Sequence, residues 1–192
     1  MDLEEAGQIV TFIDDIYTRL SSITRFNTRP KIVNESVAEH SYFVVLCSML
    51  ISEFADKKNL SSNMKMSVLH DVEESMSGDI PAHVKEDNVK LYNEIQKVNR
   101  DMMKTILSVL PSEMSEEYGD LWNQCKKTKN ITNFADCLSG VLYCVREEKL
   151  GNHYLSPAKK RYIEKINEFN TEKWALPFIN WININYGEDH HG

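Results

Sequence analysis

The chain has 192 residues, enough for one domain with a sizeable core and too few for two ordinary ones. Hydrophobic residues make up 42% and charged residues 27%, which excludes a disordered or fibrous chain. The net charge of -7 speaks against a protein that grips duplex nucleic acid through a broad basic face. One or two local cations would still suffice for a small phosphorylated ligand.

The first residues, MDLEEAGQIV, lack the basic start and apolar run of a secretory signal. Ile9, Phe12, Ile13, Ile16 and Leu20 keep helical spacing and predict a helix over 9–20. Residues 22–36 hold Pro30, several Asn and Thr and three basic residues, and read as an irregular connection. A helix starting near 36 or 37 runs through His40, Val44, Cys47, Leu50 and Ile51 to about 54. Its apolar stretch, 42–51, is too short to cross a bilayer, so no membrane partner is expected.

A polar turn over 56–62 leads to a helix over 64–76, stopped by Ser77-Gly78-Asp79-Ile80-Pro81. A long helix over 87–110 carries Leu91, Ile95, Val98, Met102, Ile106 and Leu110 along one side. A shorter helix over 113–126 follows, then a strongly apolar one over 129–150 closed by Gly151. A last pair lies near 157–169 and 172–181, before a polar tail at 186–192. No alternating pattern long enough for a strand occurs. The fold class is therefore all-α, an irregular helical bundle, with 1–192 as a single domain. Cys47, Cys137 and Cys144 fall within apolar helical patterns and, with Cys125, form no CxxC pair. Reduced thiols and a cytoplasmic location are the expectation.

The residues that carry chemistry are His40, the adjacent pair His70-Asp71, and Asp136. Two imidazoles and two carboxylates brought together from separate helices suit one divalent transition metal: Co, Mn, Ni, Fe or Zn, with Mg allowed. Four protein ligands leave positions open for water and a phosphate oxygen. A lone His in a helix is more often a hydrogen-bonded or surface residue. His70-Asp71, however, sits between Val68-Leu69 and Val72, and Asp136 lies amid Phe134, Ala135, Cys137 and Leu138. Charged groups in such apolar runs need a partner or a metal. Glu74, four residues after His70 on the same helical face, is placed to orient a water or take its proton. Its neighbour Glu73 reads as a solvated helix-end residue. Arg25, Arg29 and Lys85 are candidates for a phosphate clamp, Arg being suited to bidentate contacts.

These residues resemble a known family. Arg25-Phe26, Glu35-Ser-Val-Ala-Glu-His40-Ser, His70-Asp71-Val-Glu-Glu74, Gly78-Asp79-Ile-Pro81 and Phe134-Ala-Asp136 have the order and spacing of HD-domain phosphohydrolases, most like their bacterial 5′-deoxynucleotidase branch. Leu142-Tyr143, Arg146-Glu147-Glu148 and Gly151-Asn152 also resemble that branch, and the likeness spans about 22–152. The resemblance implies a helical bundle of the HD-domain type. It implies that His40, His70, Asp71 and Asp136 hold the metal, that Glu74 positions the attacking water and that Arg25 grips the phosphate. Phe26 would pack against the sugar and Asp79 would bind its 3′-hydroxyl. Phe26 stands where the branch usually carries Trp, and Asn27 where it carries Pro. The implied reaction converts a deoxynucleoside 5′-monophosphate to deoxynucleoside and phosphate, in a cytoplasmic homodimer.

Some bacteriophages encode a compact relative that removes triphosphate from dATP, so a dNTP triphosphohydrolase is the alternative. Lys31, His83 and Lys85 are candidates for lining the extra phosphates. Hydrolysis of alarmones or cyclic nucleotides is a more distant reading, disfavoured because no second His-rich set is present. A non-catalytic nucleotide-binding module is the rival from another class. Such a module needs neither Glu74 nor Arg25.

Overall fold

The computed structural model describes residues 2–81, 88–127 and 129–187. Helices account for the architecture: α1 (Leu3–Ser22), α2 (Val37–Ala55), α3 (Leu60–Leu69), α4 (Glu74–Ser77), α5 (Val89–Leu107), α6 (Ser112–Lys127), α7 (Ile131–Lys149), α8 (Ser156–Asn167) and α9 (Leu176–Tyr186). Among the described residues, the one β-type pairing recorded is an isolated antiparallel bridge between Thr24 and Ser36. The all-α expectation is met.

Local chemistry sets the helix starts. Ser36 and Glu39 form a reciprocal capping box, which starts α2 and places His40 in its first turn. Asn130 caps α7, and Asn88 caps α5. α2 and α7 cross the middle of the bundle, with α3 against α2 and α8 against α7. By length and composition alone α2 would pass for a membrane span. Its packing against α3 and α7, with His40 fully buried on it, makes it a central helix of this bundle.

Besides a small apolar cluster of Tyr143, Cys144 and Leu155 packed against Phe26 and Tyr162, two large ones form most of the core. One joins α2, α7, α8 and α9 around Phe134, which meets Phe169, Trp174 and Phe178 edge-on. The other joins α3, α5 and α6 around Leu69, Met103 and Trp122, with Ile9, Phe12 and Ile16 of α1 packed on it. Between them runs a buried polar ladder. The Asn63 amide donates to Ser52 Oγ at 3.0 Å, Ser67 Oγ donates to the Asn63 carbonyl at 2.9 Å, and Ser67 and Thr132 hydroxyls lie 3.0 Å apart. Unpaired polar groups are costly when buried, so this ladder ties α2, α3 and α7 to one register. Those helices carry His40, lead into His70 and carry Asp136, respectively.

The structure corrects several predicted elements: the first helix begins at Leu3 rather than at 9, and the last runs over Leu176–Tyr186 rather than 172–181. The helix expected over 64–76 begins at Leu60, ends at Leu69, and resumes only as the single turn α4. The bonds across the break, Val72 N–H to Leu69 C=O at 3.2 Å and Glu74 N–H to Asp71 C=O at 3.0 Å, are of the tighter i to i+3 kind. His70 Nδ1 bonds the Ser67 carbonyl at 2.8 Å, so a side chain competes with the backbone where the helix yields. Gly78, at φ 72°, then ends α4 in a left-handed conformation that suits glycine. In α5 the buried stripe is Asn99, Met103, Ile106 and Leu107, while Leu91 and Val98 are exposed. The expected stripe holds at Ile106 and Leu110, which are buried, but lies one residue away at Val98 and Met102, where the α5–α6 contact selected their neighbours.

The irregular segment between α1 and α2 is pinned to α7 by Glu147, which is fully buried. Its carboxylate accepts the Ile32 and Val33 N–H groups at 2.9 and 2.7 Å and the Asn152 side-chain amide. Burial opposes the Glu147 charge, but these donors outweigh it and hold the carboxyl below its ordinary value. Its stabilisation is thus complete above the unfolded carboxyl range near pH ~4.3 and is lost as pH falls through the lower folded value. Glu147→Ala strands two N–H groups and is expected to cost about 3 kcal/mol, or roughly 6–12 °C in Tm, by thermal melting at pH 7. A Tm within about 1 °C of wild type would rule out this anchor.

Candidate active site

His40 from α2, His70 and Asp71 from the turn after α3, and Asp136 from α7 converge. His40 Nε2 lies 3.1 Å from Asp136 Oδ1 and 3.3 Å from His70 Nε2, and His70 Nε2 lies 3.0 Å from Asp71 Oδ2. His40, His70 and Asp71 alone offer ligand atoms all within 4.8 Å of one another, a set fit for a metal ion. The outer ring nitrogens are taken up: His70 Nδ1 donates to the Ser67 carbonyl, and His40 Nδ1 meets Ser139 Oγ at 3.1 Å. The bond to a carbonyl fixes His70 as the Nδ1–H tautomer, which turns the Nε2 lone pair toward the cluster. The donor chemistry therefore fits a divalent metal.

Electrostatics agree with that fit. Burial, helped by the nearby Arg25 charge, pushes His40 down to about 4, so its ring is neutral at neutral pH. Burial also works against a charge on His70, but the adjacent Asp71 outweighs it and His70 is raised. Asp71 and Asp136 are lowered, Asp136 to about 2, because contacts with the histidines outweigh the cost of burial.

His70, Asp71 and Asp136 form part of the wall of a cavity of about 570 Å³ whose lining includes Arg25, Phe26, Asp79, Glu74 and Tyr162, with His40 buried behind them. Its size suits a small-molecule ligand. Arg25 is buried, with Nη1 2.6 Å from Glu35 Oε2 and Nη2 3.4 Å from the Tyr162 hydroxyl. Phe26 has φ 51°, unusual for a bulky residue. Its N–H donates to Asp79 Oδ2 at 3.1 Å, and its ring stacks on Tyr143 at 5.1 Å. The Asn27 amide donates to the Asp79 carbonyl at 3.3 Å, a bond that proline at this position could not make. Phe26, Asn27 and Asp79 are thus one hydrogen-bonded unit, with the Arg25 guanidinium 5.2 Å from the Phe26 ring.

Residues 12–183 match the 5′-deoxynucleotidase YfbR-like family. The chain belongs to that family. It is 27% identical over 181 residues to a 5′-deoxynucleotidase of Photobacterium profundum, covering 88% of this chain and 93% of that one. A 5′-deoxynucleotidase of Vibrio cholerae is 26% identical over 165 residues, covering 82% and 85%. Among solved structures, an HD-domain phosphohydrolase of Listeria innocua superposes with a TM-score of 0.79 at 21% identity, covering 93% and 91%. One from Magnetospirillum magnetotacticum, described as a predicted metal-dependent phosphohydrolase, gives 0.68 at 17% identity, covering 93% of each. The HD-domain fold of this YfbR-like chain is thereby established.

Of the residues expected from sequence, His40, His70, Asp71 and Asp136 come together, and Arg25, Phe26, Arg29, Glu74 and Asp79 line the adjoining cavity. Lys85 and His83 lie outside the described residues. Lys31 is not in that lining. Its ammonium donates to the Arg25 carbonyl at 2.6 Å, bracing the loop instead. Glu73 is not the solvated residue expected: it is buried, paired with Lys126 at 2.7 Å and bonded by Trp122 Nε1 at 2.9 Å. Lys126 and Tyr162 escaped the sequence reading because each joins the site from a distant helix that carries no motif. Glu35 lay within a quoted motif without a role, and its pairing with Arg25 ten residues earlier supplies one.

Tyr162 is wedged against Gly140. A Cβ there would fall 2.6 Å from the tyrosine ring, so glycine is required by close approach. Gly140→Ala is expected to cost about 1–3 kcal/mol, read by urea titration. Adding Tyr162→Leu should recover part of that loss. An unchanged urea midpoint in the single variant would contradict the close contact.

Proposed function

We propose that this YfbR-like protein hydrolyses deoxynucleoside 5′-monophosphates to deoxynucleoside and phosphate. The observation that carries the proposal is one cavity joining the His70 and Asp71 face of a His-His-Asp cluster to a buried arginine and a separate buried glutamate, in a chain of this family. His40, His70, Asp71 and Asp136 would hold one divalent transition metal, with Co, Mn, Ni, Fe or Zn suited to two imidazoles and two carboxylates and Mg allowed. When bound, it supplies Lewis-acid polarisation of the phosphoryl oxygens and a lowered pKa for water.

The protein's own groups do the rest. Arg25, kept cationic and oriented by Glu35, stabilises charge developing on the phosphate. Glu74 orients the attacking water or accepts its proton. Asp79 holds the sugar 3′-hydroxyl beside Phe26, whose stacking on Tyr143 stiffens that wall. The exposed apolar stripe Val10, Ile13 and Tyr17 on α1 supports a homodimer, and the four free thiols suit a reducing cytoplasm.

Lys129, Arg161 and Lys165 also line the cavity, which favours one second reading, release of triphosphate from a dNTP. Chromatographic product analysis decides between them, with Co²⁺ or Mn²⁺ and dAMP, dGMP, dCMP, dTMP, AMP and the four dNTPs offered separately. Free phosphate from several deoxynucleoside monophosphates, with AMP spared, is the expected result. Intact triphosphate with monophosphates untouched would replace it with the second reading. No turnover of any of them would overturn both.

A further inference from the structure

We infer that Lys126 is a second phosphate ligand of this site, held in place by Glu73 and Trp122 as Arg25 is held by Glu35 and Tyr162. The inference deepens the phosphohydrolase reading and rests on it for the chemical class of substrate. Lys126 lies at the C-terminal end of α6, and its Nζ is 2.7 Å from Glu73 Oε1 and 3.8 Å from Asp71 Oδ1. The other oxygen of Glu73 accepts the indole N–H of Trp122 at 2.9 Å. Trp122 also packs its ring 5.6 Å from the ammonium. Glu73 and Trp122 are each only 2% exposed, so this support is rigid.

A purely structural ion pair would explain Glu73 but not where the lysine head lies. An ammonium has three donors, and Glu73 takes one. The Asp71 distance is too long for a hydrogen bond. The side chain keeps 26% of its surface, in the wall of the same cavity that Arg25, Glu74 and Asp136 line. Among the cations that line this cavity, Arg25 and Lys126 are each fixed by a buried glutamate, and that of Lys126 is itself held by Trp122. A phosphate carries its charge over three terminal oxygens. The Arg25 fork on one wall leaves at least one of them to face another, and Lys126 supplies a donor there without reorganisation.

The test uses Lys126→Met and, because that variant leaves Glu73 buried without its cation, also Glu73→Gln/Lys126→Met. Metal content is measured first, since Lys126 lies near Asp71, and must match wild type. Binding of inorganic phosphate and of deoxyadenosine is then measured by calorimetry, followed by kcat and KM with dAMP. The expected result is phosphate binding weakened at least about 10-fold and kcat/KM lowered about 10²-fold, with deoxyadenosine binding unchanged and Lys126→Arg restoring part of the loss. Unchanged phosphate binding in the double variant overturns the inference. So does equal weakening toward deoxyadenosine, or loss of metal as the cause of lost turnover. Phosphate binding reads Lys126 independently of turnover. A wild-type protein that binds phosphate through Lys126 yet cleaves no deoxynucleotide would sink the proposed reaction and leave this inference standing.

Discussion

Glu74→Gln is expected to lower turnover of dAMP by about 10²–10⁴-fold while leaving the substrate bound. Glu74 opens the short helix α4 directly after the turn bearing His70 and Asp71, is buried, and lines the cavity. It lies outside the proposed set of metal ligands, so glutamine in its place keeps the shape while removing the charge and the capacity to take a proton. The consequence is a split between kcat, which collapses, and the affinity for dAMP, which stays within about threefold of wild type. Steady-state kinetics and calorimetry on the same preparation, with metal content measured, read both quantities. Turnover at the wild-type rate would remove Glu74 from the mechanism. Loss of metal along with activity would make it a ligand instead.

Chelation is expected to abolish activity, and Co²⁺ or Mn²⁺ to restore it. A native-state ligand at 100 times its Kd adds about 2.7 kcal/mol of stability, so the metal should also raise Tm by roughly 5–11 °C. In His40→Ala and Asp136→Ala that rise should largely vanish along with bound metal. The melting curve thus reads the site without reference to catalysis. An undiminished rise in both variants would place the metal elsewhere. The pH dependence has a definite sign. A histidine must be neutral to ligate. His40, held down to about 4, stays neutral through mildly acid solution, whereas Asp71 raises His70. Protons therefore compete mainly at His70, and metal affinity is expected to be weaker at pH 6 than at pH 8. The reverse order would contradict this assignment of the competing group.

Much of the site was legible before the fold because charged residues stood in apolar runs. His70-Asp71 beside Leu69 and Val72, and Asp136 beside Phe134 and Cys137, are placements that burial makes costly without a partner. Recognising Phe26, Asn27 and Asp79 as one unit needed more than spacing. Asp79 lies 53 residues beyond Phe26, and only the folded loop shows its carboxylate accepting the Phe26 N–H. Glu73 was misjudged because neighbours in a helix point in different directions. Periodicity cannot say which direction will find a Trp122 indole and a Lys126 ammonium to receive it.

By itself the sequence determined the all-α class, most helix starts, and the residues able to ligate a metal. Those properties reside in hydrophobic period, capping side chains and donor chemistry, which are local. Only the tertiary structure decided where the 64–76 helix breaks, which stripe of α5 is buried, and which cations stand at the cavity. The stripe and the cations depend on partners far along the chain, the α5–α6 contact and the Glu73–Trp122 bond. The break falls where His70 Nδ1 donates to the Ser67 carbonyl as the ring turns into the cluster. A local pattern offers several faces of nearly equal merit, and packing against a distant element selects among them.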